Sequence, residues 1–328
     1  MAVVARRPLL PYAAAVVAER LRTVDTPDGR TLAFATWGDP NGFPVLGNHG
    51  TPGSRFDRWP REGLYEELGA VLVSHDRAGY ARSDRRRGRR IVDEVDDLLL
   101  LADHLGLDRF GVTGGSGGGP HALAVAARCP DRVLRAVCTV GVAPYGPEGL
   151  EQEAWFAGMD PENVKEFGWA LAGVDVLPRE LTAEQAKMMA KLDDDPGAAM
   201  LGEFELSEAD REQLERPELL QMIGESMREQ ALGGVSGWVD DSLAFTRPWG
   251  FDPREISVPV LLRYGSSDVL VPRGHGDWLA QNVPGAIVAM DEAGHLGSDP
   301  EQEITENIAW LRDGTPPTTA TAPPHAYD

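Results

Sequence analysis

Short apolar runs alternate with amphipathic stretches over the first 140 residues and again after residue 250. The runs at 44–48, 70–74 and 110–113 have the length of buried strands, whereas residues 91–105 place apolar side chains at helical spacing. A further run at 133–140 also reads as a strand. Because strands separated by helices are typical of a mostly parallel sheet with helices on both faces, the pattern predicts an α/β fold.

The two ends of the chain add to this pattern. Asp28-Gly29 is a turn signal before the alternating residues 31–36, so residues 20–38 are predicted to form an antiparallel β-hairpin. Residues 1–19 are expected to be an N-terminal extension, and residues 314–328, rich in Thr and Pro, a disordered tail. Near the C-terminus we expect strands at 259–264 and 286–290 and helices near 273–282 and 301–312.

The alternation of strands and helices stops in the middle of the chain. Residues 145–250 read as helical, carry 23 Asp or Glu against 8 Lys or Arg, and hold four of the eight tryptophans. An insertion between two halves of one sheet is the most economical interpretation. We therefore expect residues 20–144 and 251–313 to form one core, with residues 145–250 as a helical cap.

The formal net charge is −21, which argues against nucleic acid and anionic membranes as partners because both need clustered Lys or Arg. Cys129 and Cys138 lie in apolar stretches and match no metal spacing, which indicates free buried thiols in a reducing compartment. Residues 9–18 faintly resemble an export signal but contain Pro11 and Tyr12, and no run approaches the ~18 residues that span a bilayer. We expect a soluble, cytoplasmic protein that acts on a small molecule and could form a homodimer.

A glycine-rich turn follows one of the predicted strands. Gly114, Ser116 and Gly118 fit the pattern G-x-S-x-G, in which glycines permit a turn so tight that the serine is held in a strained conformation. Pro120 is compatible with the first turn of the helix that follows. A phosphate-binding loop is the alternative, but the chain lacks both G-x-x-x-x-G-K-[ST] and a G-x-G-x-x-G near the first strand. Ser116 is therefore the candidate nucleophile.

A serine hydroxyl needs a base, and that base needs a carboxylate to orient it. Of the seven histidines, His295 comes directly after the last predicted strand, and Asp268 comes just past the strand before it. Both belong at the carboxyl edge of the sheet, where parallel strands present functional groups. The chain order Ser116, Asp268, His295 predicts a catalytic triad.

Acyl transfer also needs two N–H groups that point at the developing oxyanion. One is expected from Gly117, the residue after the nucleophile, and the other from the loop H-G-T-P at residues 49–52. Thr51 is the predicted donor in this loop. Pro52 has no N–H and serves to rigidify it.

Taken together, the segments H-G-T-P-G-S-R, D-R-A-G-Y-A-R-S-D, G-G-S-G-G-G-P, Y-G-S-S-D-V-L-V-P and A-G-H resemble the α/β-hydrolase superfamily over about residues 20–145 and 250–312. The resemblance implies an eight-stranded, mostly parallel sheet, a Ser-Asp-His triad, no cofactor, and a helical cap inserted after the sixth strand. Haloalkane dehalogenases and epoxide hydrolases also resemble this chain but need Asp at the elbow, where Ser116 stands.

The expected cap is rich in aromatic side chains, and a few of them should face Ser116. Such a pocket suits a bulky, largely apolar acyl or alcohol group. The function we expect is hydrolysis of a carboxylic ester or lactone. The predicted pocket residues are Trp155, Trp169, Phe204, Trp238 and Trp249.

Three other functions stay open. An aminopeptidase resembling proline iminopeptidases would hold the free α-amine of its substrate with Glu203 or Glu205, although those enzymes commonly carry Trp after the serine, where this chain has Gly117. Some relatives use the same scaffold as lyases, cofactor-free oxygenases or cyclisation catalysts. The last alternative is a non-catalytic ligand receptor.

Overall fold

The computed structural model describes residues 21–321, and within them nine strands form one sheet. Their bounds are β1 Arg22–Asp25, β2 Thr31–Gly38, β3 Phe43–Asn48, β4 Ala70–His75, β5 Phe110–Gly115, β6 Val133–Thr139, β7 Val260–Gly265, β8 Ile287–Asp291 and β9 Ala320–Thr321. In spatial order the strands run β1-β2-β4-β3-β5-β6-β7-β8-β9.

The sheet is mostly parallel. Strands β3 to β8 pair in parallel, whereas β1 and β2 form an antiparallel hairpin at one edge. Every residue of β4 and of β7 is buried, as expected for strands covered on both faces. The predicted α/β fold and the predicted hairpin are both confirmed.

The C-terminal end differs from the prediction. Ala320 and Thr321 pair antiparallel with Ala289 and Val288 of β8, where the sequence predicts a disordered tail and an eight-stranded sheet. The physical reason is that β8 would otherwise present unpaired N–H and C=O groups at the sheet edge, and a short segment satisfies them. Residues 322–328 and the expected N-terminal extension 1–19 lie outside the described residues.

Twelve α-helices occur within residues 21–321, and none of them is long and apolar enough to cross a membrane. Their bounds are α1 Leu64–Glu67, α2 Glu94–His104, α3 Gly119–Arg128, α4 Gln152–Phe156, α5 Pro161–Ala172, α6 Leu177–Lys191, α7 Pro196–Leu201, α8 Glu208–Gln213, α9 Pro217–Gln230, α10 Ser236–Phe245, α11 Arg273–Asn282 and α12 Pro300–Asp313.

The sheet is buried between two apolar layers. One layer packs α2, α3 and α11 against the sheet through side chains such as Leu98, Leu123 and Leu279. The other layer packs α1 and α12 on the opposite face through Tyr65 and Leu311. Cys129 and Cys138 are both free and buried, as predicted.

Helices α4 to α10 form an insertion between β6 and β7, within the range predicted to be helical. Side chains of α5, α6, α9 and α10 share an apolar cluster, and Trp59 and Tyr80 from loops of the core pack into it. Helix α10 is buried along residues 237–245, and its Ala244 and Phe245 belong to the main core of the sheet, as do Trp155 of α4 and Phe167 of α5. The insertion is therefore anchored to the sheet by helices at both of its ends.

Candidate active site

Ser116 sits at a sharp turn between β5 and α3. Its φ is 52°, a left-handed backbone conformation that costs free energy for any residue with a side chain. Glycine is required on either side, because a Cβ on Gly114 would overlap the carbonyl oxygen of Gly118, and one on Gly118 would overlap that of Asn48. The sequence thus folds locally into a turn that places the serine at the carboxyl edge of the sheet.

His295 and Asp268 meet at the same edge of the sheet. The Nδ1–H of His295 is directed at Oδ2 of Asp268, with 2.8 Å between the two atoms. The other oxygen of Asp268 accepts hydrogen bonds from the backbone N–H groups of Leu270 and Val271, at 2.8 and 2.9 Å. Burial alone would lower the pKa of His295, but the adjacent Asp268 carboxylate outweighs it and raises the pKa above the ordinary value of 6.5.

A carboxylate of the insertion holds the loop that carries His295. Asp210, fully buried on α8, accepts hydrogen bonds from the N–H groups of His295 at 3.1 Å and Leu296 at 2.8 Å. No pattern in the sequence predicts this contact. Positioning of the imidazole thus depends on a helix 85 residues earlier in the chain.

Ser116 and His295 both line two cavities. Four more residues line both of these cavities: Thr51, Pro52, Met200 and Leu296. No hydrogen bond joins the Ser116 hydroxyl to the His295 imidazole, although both residues lie in the described part of the chain. Such a bond is often long before substrate binds and tightens in the complex. The structure therefore brings the three predicted triad residues to one place.

Thr51 and Gly117 are direct neighbours. A Cβ atom added to Gly117 would overlap Thr51 Oγ1 and would lie 2.6 Å from the Cβ of Thr51, so only glycine fits at position 117. The N–H of Gly50 is already used, since it donates to Asp57 Oδ2 at 2.8 Å. The two predicted oxyanion residues are thus side by side, next to Ser116.

Arg77 holds the loop at residues 49–52 through several hydrogen bonds. It is fully buried and donates to the carbonyl oxygens of His49 and Gly50. It also donates to Thr51 Oγ1 at 3.0 Å, and Thr51 in turn donates to Asp241 Oδ2 at 2.6 Å. The loop geometry is therefore fixed by a buried ion pair rather than by local sequence.

Asp241 of α10 is the centre of this network. Its carboxylate is fully buried and forms ion pairs with Arg77 and Arg89, both at 2.6 Å, while the Tyr80 hydroxyl donates to it at 2.8 Å. Burial alone would raise the pKa of Asp241, but Arg77 and Arg89 hold it well below its ordinary value. Asp241 is not among the predicted site residues, and its one local signal is an Asp pair inside a largely apolar helix.

Asp241→Asn is expected to lower the free energy of unfolding by about 3–5 kcal/mol, because it leaves Arg77 and Arg89 buried without a countercharge. Urea unfolding followed by circular dichroism measures this. Asp240→Asn is the matched control: its partner Arg85 retains 26% side-chain exposure and can turn to water, so a loss of about 1 kcal/mol or less is expected. Equal losses in the two variants would contradict the role of Asp241.

The two cavities measure about 340 and 170 Å³. The larger runs from Ser116 between α9 and α12, and the smaller runs under α5 and α6. Of the predicted pocket residues, Trp169, Phe204 and Trp238 line the smaller cavity. The insertion therefore contributes side chains to the space in front of Ser116.

The prediction for Trp155 and Trp249 is wrong. Trp155 is fully buried, donates from Nε1 to the carbonyl oxygen of Ala143 at 2.9 Å and packs edge-on against Phe167. Trp249 is 1% exposed and stacks on Phe251. Neither lines the two cavities, because packing with neighbouring rings buries them in the core of the sheet.

One carboxyl group of the smaller cavity is unusual. Glu166 on α5 accepts hydrogen bonds on Oε1 from Trp238 Nε1 at 2.8 Å and from Ser242 Oγ at 3.0 Å. Burial raises its pKa to about 7. The carboxylates named in the sequence analysis differ from it: Glu203 lines the cavity but lies 3.8 Å from Lys191, and Glu205 lines neither cavity.

Among residues 21–321, no group of three or more His, Cys, Asp and Glu side chains is arranged to hold a metal ion. The carboxyl edge of the sheet carries the Ser116 hydroxyl, the His295–Asp268 pair and the backbone N–H groups around Gly117. These are the parts of a covalent acyl-transfer site.

Comparison with known proteins gives a consistent family. A family model described as the alpha/beta hydrolase fold matches residues 44–168. The chain is 34% identical over 142 residues to a non-heme chloroperoxidase of Streptomyces lividans, a match that covers 40% of this chain and 51% of that protein. It is 26% identical over 259 residues to a bifunctional esterase/perhydrolase of Acinetobacter calcoaceticus, covering 76% of this chain and 83% of the relative. The chloroperoxidase match thus spans about half of that relative.

A solved structure matches over almost the whole fold. The enol-lactonase from Burkholderia xenovorans LB400 superimposes with a TM-score of 0.62 over 88% of this chain and 99% of that chain, at 19% sequence identity. At this identity the superposition speaks for the fold alone.

Proposed function

Because this chain belongs to the α/β-hydrolase superfamily, we propose that it is a serine hydrolase that cleaves a carboxylic ester or lactone of a bulky, largely apolar small molecule. The observation that carries the proposal is that Ser116, on its strained turn, and the His295–Asp268 pair open into the same cavities. The esterase/perhydrolase relative from Acinetobacter calcoaceticus supports ester chemistry.

In the proposed reaction, Ser116 Oγ attacks the ester carbonyl carbon while His295 Nε2 takes the hydroxyl proton. His295 then gives this proton to the departing alcohol oxygen as the C–O bond breaks, which leaves an acyl group on Ser116. Water attacks the acyl-enzyme in the same way and releases the acid. Throughout, Asp268 accepts the Nδ1–H of His295 and stabilises the imidazolium that forms.

The N–H groups of Gly117 and Thr51 are the proposed oxyanion donors. The position of Thr51 beside Gly117 supports this assignment. The neighbouring residues support it as well, because the Gly50 N–H already donates to Asp57 and Pro52 has no N–H. Each such donor is worth about 2.7–4 kcal/mol of barrier in enzymes of this type.

The two cavities that meet at Ser116 suggest how substrate is divided. One compartment would take the acyl part and the other the alcohol part, since the carbonyl carbon must lie between them at the serine. Apolar walls such as Phe167, Phe245 and Leu270 suit hydrocarbon groups in the smaller compartment. A small molecule remains the proposed partner, in the cytoplasm, and a homodimer remains the proposed assembly.

A fluorophosphonate probe together with p-nitrophenyl esters of increasing acyl length tests the proposal. We expect the probe to label Ser116, and we expect ester hydrolysis with a burst of p-nitrophenol as the acyl-enzyme forms. A protein that neither reacts with the probe nor hydrolyses any of the esters would contradict the proposal and favour a ligand receptor. Labelling without ester hydrolysis would instead point to a non-hydrolytic lyase or cyclase.

The second candidate is an aminopeptidase, favoured by the carboxylates that line the smaller cavity, Glu166 among them. Release of proline or alanine from their β-naphthylamides would support this function. Hydrolysis of esters without any release from these amides would remove it.

The pH profile of ester hydrolysis gives a further prediction. Because His295 must be neutral to accept a proton and its pKa lies above 6.5, kcat/KM should rise with pH along a limb whose midpoint is above 6.5. Glu166→Gln is the control, since the Glu166 carboxyl titrates near 7 in the same cavity and the limb should survive its removal. A midpoint at or below 6.5, or a limb lost in E166Q, would assign the titration to another group.

A further inference from the structure

A row of residues on one face of the sheet leads from the strand end before Ser116 into the larger cavity. In the parallel register of β5 to β8, four residues stand side by side: Gly115, Thr139, Arg263 and Ala289. Their side chains share the face that α12 covers, because Val137 and Leu261, two positions earlier on β6 and β7, belong to one apolar cluster with Leu311. The polar members of this row, Thr139 and Arg263, both line the larger cavity.

Helix α12 holds the guanidinium of Arg263 and leaves one of its nitrogens free. Arg263 is 6% exposed, and its Nε donates to Asn307 Oδ1 at 2.6 Å while its Nη2 pairs with Glu306 Oε2 at 2.5 Å. Nη1 has no hydrogen-bond partner among residues 21–321, yet it is not one of the inaccessible polar atoms, so it keeps surface that it shares with the cavity. A buried charged donor without an acceptor is costly, so Nη1 is a binding group for whatever enters the cavity.

The hydroxyl of Thr139 lies next to Arg263, since the two residues are direct partners in the register. It too has no hydrogen-bond partner in the described chain, and its side chain is only half-buried although β6 lies in the middle of the sheet. Neighbouring strands lie about 4.8 Å apart, which puts the Cα of Arg263 roughly 10 Å from that of Gly115. A short chain attached to a carbonyl carbon at Ser116 can therefore reach both donors.

The carboxyl groups of the larger cavity decide which acceptor fits these donors. Asp291 and Glu303 line the cavity, and Glu306 already pairs with Arg263. One guanidinium therefore lies among three carboxyl groups, and a further anion would be repelled. A neutral oxygen meets no such repulsion and still accepts a charge-assisted hydrogen bond from Nη1.

We propose that Arg263 and Thr139 form a binding site for a neutral oxygen, a ketone or hydroxyl carried by the part of the substrate that enters the larger cavity. This inference rests on the proposed function for the position of the scissile carbonyl at Ser116. Other residues of the cavity wall are apolar and suit the hydrocarbon part of the same chain: Ile223, Met227, Ile304 and Ile308. The substrate class is thus an ester or lactone with an oxygenated chain rather than a plain hydrocarbon one.

Calorimetric titration of ketones into the Ser116→Ala variant tests this site without any turnover. The probes are methyl heptyl ketone and the nonanediones of the same length whose second carbonyl lies four, five or six bonds from the first. We expect the best of these diones to bind about 10- to 100-fold more tightly than the monoketone, the range for a hydrogen bond from a charged donor. The keto acid of the same chain length should bind more weakly than that dione, because its carboxylate meets Asp291 and Glu303.

Three further substitutions, each in the Ser116→Ala background, locate the site. Arg263→Met should abolish the preference for the dione. Thr139→Val should reduce it by about 3- to 10-fold and should not disturb the fold, because no described residue bonds the hydroxyl. Thr113→Val is the matched control, since Thr113 lines the same cavity but pairs with Val137, one row away from Arg263. Its preference should stay within about twofold of the parent.

Several outcomes would overturn the inference: equal binding of the monoketone and all the diones, tighter binding of the keto acid, an unchanged preference in Arg263→Met, or equal losses in Thr139→Val and Thr113→Val. If Arg263→Met does not fold, the comparison of Thr139→Val with Thr113→Val decides. Since no titration needs ester cleavage, a protein that prefers the dione through Arg263 but hydrolyses no ester would contradict the proposed function alone. Hydrolysis of plain esters without any preference for the dione would contradict this inference alone.

Discussion

Ser116→Ala is expected to lower kcat for p-nitrophenyl ester hydrolysis by about 10⁴- to 10⁶-fold, because no other described group in the two cavities replaces an activated hydroxyl next to His295. The residual rate should reflect the oxyanion donors and substrate binding. The variant should also lose all labelling by the fluorophosphonate probe.

A measurement of unfolding stability distinguishes this loss of activity from misfolding of the variant. The Ser116 hydroxyl makes no hydrogen bond within the described chain, so its removal should leave the unfolding midpoint in urea nearly unchanged. A folded Ser116→Ala variant that keeps more than about one hundredth of the activity would refute the nucleophile.

Asp268→Asn is expected to lower kcat by about 10⁴-fold through the tautomer of His295. Asp268 Oδ1 accepts two backbone N–H groups, from Leu270 and Val271, so the amide oxygen of the new side chain must stay on that side. Its NH2 group then faces His295 Nδ1, which must become an acceptor. The imidazole proton moves to Nε2, where it prevents His295 from taking the proton of Ser116.

Asp291→Asn is the matched control for this substitution. Asp291 lies at the end of the neighbouring strand and bonds Ala293 N and Ser298 Oγ, but it does not touch the imidazole. Its kcat should stay within about threefold of the wild type, since both bonds can be made by an amide. If Asp268→Asn kept activity within tenfold of the Asp291→Asn control, Asp268 would not be the residue that orients His295.

The meeting of Ser116, Asp268 and His295 at one edge of the sheet could be predicted from sequence because each residue has a local signature. Ser116 lies in a glycine pattern that only a tight turn requires, and Asp268 and His295 each follow an apolar run that forms a parallel strand. The topology of a parallel sheet then brings strand ends together without any need to know side-chain packing.

The residues that support the site had no such signature. Asp241 contacts Thr51 across 190 positions of sequence, and Asp210 contacts the His295 loop across 85. These contacts depend on how the insertion docks, which no local pattern encodes. The prediction for Trp155 and Trp249 is wrong for a related reason: an aromatic side chain suits the wall of a cavity and a buried core equally well.

The choice of cap carboxylate shows the same limit. Glu203 and Glu166 are equally acidic in the sequence, and what distinguishes them is that Lys191 lies near one whereas only Trp238 and Ser242 bond the other. Whether a carboxylate is compensated is a property of the folded neighbourhood. Whether a carboxylate has a compensating charge can be decided only when the positions of the nearby charged side chains are known.

The burial of α10 determines where this chain can be recombined with related chains. Helix α10 is contiguous in sequence with the insertion, yet its Asp241 holds the loop of Thr51 and its Gly237 N–H bonds the carbonyl oxygen of Gly79 at 2.9 Å. A chimera with its junction at residue 250 would import a foreign helix into the core of the sheet. A junction just before α10, at residues 234–235, would keep the helix that holds the loop of Thr51, provided that the exchanged helices retain Asp210, which holds the His295 loop.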